Sequence, residues 1–137
     1  MKGINVYLTF DGACRDAMQF YKECLGGELH IAPFSDAPHE FPPEQRNHVM
    51  HAALNWGPHV LMASDAMPGG PVQNGNNYSV CIQCESLDEI ERFFAALSAG
   101  GTAAMPLQDT FWGARFGMLR DRFGIQWMLN FEKPKQG

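Results

Sequence analysis

The residues that could do chemistry in this 137-residue chain are its histidines, a Cys-X-X-Cys pair and a scatter of aromatic, amide and guanidinium groups near both ends. His48, His51 and His59 invite a metal reading. Strand side chains alternate between faces, so His48 and His51 point opposite ways, and His59 can join only one of them across a hairpin. His51 is the one to keep. An imidazole in a pocket titrates near neutrality and can serve as acid, base or ligand anchor, the alternative being a hydrogen-bonded core histidine. Cys81 and Cys84 lie in NYSVCIQCES, which alternates as a strand does, whereas a redox Cys-X-X-Cys opens a helix. They read as small buried residues. Ser79 and Cys81 could share a face with His51, but no third group is in view to orient a nucleophile.

A second set has the makings of a binding pocket. Tyr7, Trp112, Arg115, Gln126 and Asn130 combine aromatic walls with a few polar groups, which suits a small amphipathic or anionic molecule. Arg115 could fork onto a carboxylate or phosphonate; equally it could be a surface charge or pair with Asp121. Trp127 reads as packing.

The elements that must position these groups follow from period and punctuation. Phe111 to Glu132 holds two strand-like runs around a turn at Asp121 to Gly124, with Ile125, Trp127 and Leu129 alternating with Gln126, Met128 and Asn130. At the start, Ile4 to Phe10 alternates as a half-buried strand, and Asp11 and Gly12 break it. Ala13 to Leu25 has helical spacing, with Ala17, Phe20, Tyr21 and Cys24 on one side, and Gly26 and Gly27 end it. Glu28 to Phe34, His48 to Trp56 and Pro58 to Asp65 read as strands. The proline-containing stretch Ser35 to Asn47 reads as a long loop, a candidate lid.

Tyr78 to Cys84 then restarts the pattern. Ser86 and Glu89 form a capping box ahead of a stripe of Leu87, Ile90, Phe94 and Leu97, closed by Gly100 and Gly101, and a short strand follows near Thr102 to Met105. Adding 74 carries Asn5 to Ser79, Phe20 to Phe94 and the first glycine pair onto the second. The chain therefore reads as one domain of the α+β class built from two pseudo-repeated βαβββ modules, about 1–66 and 77–132, joined by a Gly, Pro and Asn connector at 67–76. A sheet with one helix per module has its other face available for function.

Composition narrows the partners. A net charge of −5 with interspersed signs offers no footprint for nucleic acid or an anionic membrane. No apolar run approaches the roughly 20 residues a membrane helix needs, and the polar start is no signal peptide. A cytoplasmic protein with reduced cysteines is the expectation.

VYLTFDGACRDAMQFYKECLGGEL, VMHAALNWG, SDAMPGG and TFWGARFGMLRDRFGIQWML resemble the PhnB-like branch of the vicinal oxygen chelate superfamily, the glyoxalase and bleomycin resistance fold. The resemblance covers nearly the whole chain. It implies a U-shaped mixed sheet around a cleft, and a homodimer. Metal-using members place four ligands on cavity-facing strands, and those positions carry over to Asn5, His51, Ser79 and Met128. One imidazole with an amide, a hydroxyl and a thioether is a poor set for zinc, nickel or iron. Ala53 stands where relatives often have an acidic residue. The expected function is binding of a small molecule in a pocket lacking the full metal tetrad, with no cofactor. The alternatives are a metal-dependent lyase, isomerase or dioxygenase centred on His51, and a drug-sequestering resistance protein.

Overall fold

The computed structural model describes residues 1–34, 47–67 and 70–134. It divides into two compact units, Met1–Gln73 and Asn74–Gly137. Among the described residues each holds one helix and one four-stranded sheet, in the order βαβββ. The loop read at Ser35 to Asn47 falls, over 35–46, outside the described residues.

In the first unit β1 (Val6–Phe10) leads through α1 (Cys14–Leu25) to β2 (Glu28–Pro33), and β3 (Val49–Trp56) and β4 (His59–Asp65) follow. The sheet order is β1-β4-β3-β2, with β1 parallel to β4 and the other pairings antiparallel. β1 and β2 are thus opposite edges, and α1 crosses the sheet between them, as a parallel pair requires of its connection. Cys14, Ala17, Met18, Tyr21 and Cys24 form the buried stripe of α1. Phe20, expected in that stripe, is half-buried, and Met18 takes the inner position. The helix packs on β3, β2 and β4, whose inward residues include Ala52, Leu54, Leu61 and Ala63.

Asp65 holds this unit's corner. Its buried carboxylate accepts from the Cys14 amide at 3.1 Å and the Val49 amide at 2.8 Å. Ala13, the residue before α1, makes no side-chain cap, so β4 supplies the acceptor that the helix start needs.

The second unit repeats the plan with β5 (Val80–Gln83), α2 (Leu87–Ser98), β6 (Thr102–Asp109), β7 (Ala114–Arg120) and β8 (Gln126–Glu132), in the order β5-β8-β7-β6. Ser86 Oγ accepts from the Glu89 amide at 3.0 Å, as a capping box demands, while the Glu89 carboxylate reaches back to the amide of Glu85 rather than Ser86. Ile90, Phe94 and Leu97 are buried, but Leu87 in the first turn is exposed. β6 is longer than its expected Thr102 to Met105. Pro106 sits in an edge strand interrupted by register shifts, where a missing N–H breaks no ladder. Asp121 is the second buried carboxylate. It accepts from the Phe123 and Ile125 amides at 2.8 and 3.1 Å and from the Trp127 indole at 2.8 Å, closing the β7–β8 turn. Gly124 has φ 87°, which only glycine adopts without strain. Among the described residues, no helix is long and apolar enough to cross a membrane.

Removing the Asp65 carboxylate strands two amides. Asp65→Ala is expected to cost about 3 kcal/mol in urea unfolding, and Asp65→Asn, with one acceptor oxygen, roughly half that. Equal stability of all three proteins would show that the corner carries no weight.

Burial pushes the Cys14 and Cys84 thiols up to about 12, aided by the nearby Asp65 and Glu89 charges respectively. The folded state keeps these protons longer than the unfolded chain does. Their contribution is therefore full below about pH 9 and lost as pH rises toward about 12. Unfolding midpoints should fall over that window, and less steeply in Cys84→Ala; an unchanged slope in that variant would remove Cys84 from the effect.

Candidate functional site

In each unit α1 or α2 covers one face of the sheet and the other face carries the polar residues. On the first sheet, register puts Tyr7 and Thr9 of β1, Met62 and Ser64 of β4, His51, Ala53 and Asn55 of β3, and Glu28, His30 and Ala32 of β2 on the helix-free side. A bulge helps to set this arrangement. Ala32 pairs with His51 but Pro33 with Val49, so Met50 is skipped, Val49 turns into the core and His51 stays out.

Tyr7 and His51 meet there. The phenol oxygen lies 3.0 Å from His51 Nδ1 and the rings are 5.7 Å apart, although β4 runs between their strands. The phenol donates when the ring proton is on Nε2, and the ring donates to the phenol oxygen when Nδ1 carries a proton. His30, which the sequence reading passed over, lies opposite Ala53 and 3.5 Å from Glu28. The alternation of Glu28 to Ile31 was the signal for its face. His48 and His59 stand elsewhere. His48 is edge-on to Phe34, with ring centroids 6.2 Å apart, and His59 opens β4 opposite Trp56.

On the second sheet the helix-free side carries Cys81 and Gln83 of β5, Gln126, Met128 and Asn130 of β8, and Phe116, Met118 and Arg120 of β7. Asn130 donates to Gln83 Oε1 at 2.9 Å and Gln126 to the Tyr78 carbonyl at 2.7 Å. Burial pushes the Cys81 thiol up. Asn5 and Ser79 precede the first strands of their units.

Two residues differ from the pocket expected of them. Arg115 shares the helix-covered side with Gly117 and Leu119. Its guanidinium is held by Glu91 at 2.8 Å and Asp109 at 3.3 Å, and the bond to Glu91 chiefly raises its pKa. Asp109 is in turn held low by hydrogen bonds from Lys133 and Arg115. Asp121 is not the partner. Trp112 sits in the β6–β7 connection rather than on a sheet face, 62% exposed and edge-on to Phe111, itself 97% exposed.

Val6 pairs with Leu61 and Val80 with Trp127, so Met62 is the first-unit counterpart of Met128. Among the described residues, no three His, Cys, Asp or Glu side chains gather as a metal cluster.

The sequence model of the 3-demethylubiquinone-9 3-methyltransferase family matches residues 2–130. Protein PA1353 from Pseudomonas aeruginosa is 41% identical over 96% of this chain and all of its own, with a TM-score of 0.85. A PhnB protein from Bacillus cereus is 26% identical over 93% of this chain and 98% of its own, with a TM-score of 0.77. In fold alone, the chain is similar to a glyoxalase/bleomycin resistance protein/dioxygenase domain from Frankia sp., 15% identical over 99% of this chain and 96% of that one, at a TM-score of 0.67. A profile match along nearly the whole chain, joined to two βαβββ units, places this chain in the PhnB-like 3-demethylubiquinone-9 3-methyltransferase family, with the fold of the glyoxalase and bleomycin resistance proteins.

Proposed function

We propose that this protein binds a small organic molecule on the helix-free side of its first sheet without the superfamily's full set of metal ligands, and that His51 is the residue that engages it. The observation that carries this reading is the exposed Tyr7–His51 hydrogen bond. A histidine kept for structure satisfies its ring nitrogens inside the core. His51 instead spends Nδ1 on another exposed side chain, which fixes the ring's orientation and leaves Nε2 for a ligand.

The chemistry around the pair fits a ligand with a modest apolar body and hydrogen-bonding edges. Met62 and Ala53 offer apolar surface, and Thr9, Ser64 and Asn55 offer neutral donors and acceptors. Among the described residues, no lysine or arginine of the first sheet's strands stands on this side, and Arg115 is already held by two carboxylates. A carboxylate ligand would therefore be met by His51, with Tyr7 accepting the Nδ1–H of the protonated ring. The same pair suits general acid–base catalysis, because the phenol can stabilise either tautomer of its partner. On the second sheet Gln126, Met128 and Asn130 supply the same kind of neutral surface, with Asn5 and Ser79 leading into the first strand of each unit.

Small aromatic carboxylic acids and phenols, screened by ligand-observed NMR against metal-stripped protein, test this reading. Hits should bind roughly tenfold or more weakly to His51→Ala and about threefold more weakly to Tyr7→Phe, which loses one hydrogen bond. Arg115→Ala should leave their affinity unchanged. Hits that ignore His51 but depend on added zinc, nickel, manganese or iron(II) would reverse the proposal in favour of metal chemistry.

A further inference from the structure

Four sulfur-bearing residues stand in one rank across the second sheet. Cys81 of β5 pairs with Met128 of β8, Met128 with Met118 of β7, and Met118 with Met105 of β6. Directly paired residues project from the same face. Trp127, Leu129, Gly117 and Leu119 occupy the opposite parity and form the core under α2, so the sulfur rank lies on the helix-free side. The β6 register shifts bring Met105 onto this side, although Leu107, two residues on, lies against the core position of Gly117. Cys81 and Met105 are exposed, and Met118 and Met128 are half-buried. Packing against α2 accounts for none of the four.

We propose that Cys81, Met128 and Met118, with Met105 at the outer end, form a binding site for a soft monovalent cation, copper(I) or its laboratory counterpart silver(I). Neighbouring strands lie about 4.8 Å apart, so the three inner residues flank one point above β8 with Met128 at the centre. Each methionine has three rotatable bonds to bring its thioether onto an ion there. Thiolate and thioether are the donors that select copper(I).

The flanking ranks oppose harder ions. One holds Gln83, Asn130, Phe116 and Gln108, the other Gln126, Arg120 and Thr102, and neither offers a carboxylate or imidazole. Charge points the same way. One thiolate neutralises a monovalent ion, whereas a divalent ion would keep a positive charge on a half-buried surface beside Arg120. On binding, the Cys81 S–H bond breaks, a sulfur–metal bond forms and the proton passes to water. The thioethers donate lone pairs, and no electron is transferred. The site draws only on residues of the second unit and does not rest on a ligand binding at the Tyr7–His51 pair.

The test is an anaerobic titration of the full chain with copper(I), in competition with a chromophoric copper(I) chelator. One ion should bind, with affinity reduced roughly tenfold or more in Cys81→Ser, Met128→Leu and Met118→Leu. The methionine-to-leucine changes conserve volume and leave the fold intact. With silver(I), the NMR methyl signals of Met118 and Met128 should shift, while that of Met18, fully buried in α1, stays fixed as the reference. Zinc(II) should not displace the ion. Wild-type affinity in both leucine variants, or silver uptake that moves neither methyl signal, would reduce the site to a reactive thiol and overturn the proposal.

Discussion

The first unit depends on a carboxylate buried where three elements meet. Asp65 ends β4, accepts from the first residue of α1 and accepts again from the first residue of β3. A buried charge is costly unless its lone pairs are satisfied, and amides at a helix start are well suited to the task because the helix dipole favours negative charge there. Next to Asp65, the Ala66 amide donates to the Phe10 carbonyl and prolongs the β1–β4 pairing. The register of the sheet, and with it the reach of Tyr7 over β4 to His51, is fixed from this corner.

The second unit keeps the topology and reassigns the polar chemistry. Its helix is capped from its own chain by Ser86, which leaves the buried carboxylate, Asp121, to hold the β7–β8 turn and the Trp127 indole. The helix C-termini show the same exchange. The Leu25 carbonyl accepts from the Trp56 indole, and the Ala99 carbonyl from the guanidinium of Arg122 through two nitrogens. Both donors come from the hairpin that joins the last two strands of their unit. Each hairpin pins the helix above it, by an aromatic group in one unit and a cation in the other. A repeat can diverge in this way because what must be satisfied is the orphan carbonyl, not the identity of its donor.

Period two made the faces readable from sequence, since Tyr7, His51, Gln126, Met128 and Asn130 are assigned by parity against buried neighbours such as Leu8, Ala52, Trp127 and Leu129. Pairing was not readable. Tyr7 and His51 are 44 residues apart and on non-adjacent strands, so their bond requires the strand order, which alternation does not contain. Arg115 shows the opposite difficulty. It has the parity of Leu119, but its charge suggested the polar side, and only the docking of α2 brings Glu91 within 2.8 Å to explain a guanidinium beside the core. The sulfur rank needs the bulged register of β6, which the expected short strand near Thr102 to Met105 does not contain.

These placements take most of the formal charges off the faces left for recognition, Glu28 and Arg120 excepted. Arg115, Glu91, Asp109 and Lys133 compensate one another around the helix-covered side and edge of the second unit, and Asp65 and Asp121 are consumed by backbone amides and an indole. The helix-free sides are left mainly with imidazole, phenol, hydroxyl, amide and sulfur. Such groups discriminate by direction and polarisability more than by long-range attraction, so selectivity there depends on where each donor points. That in turn returns to backbone register. A slip of one residue in β3 or β8 would send His51 or Met128 into the core and bring Ala52 or Leu129 out in its place. Buried carboxylates that fix the start of β3 and the turn before β8 therefore protect the recognition faces as much as they stabilise the fold.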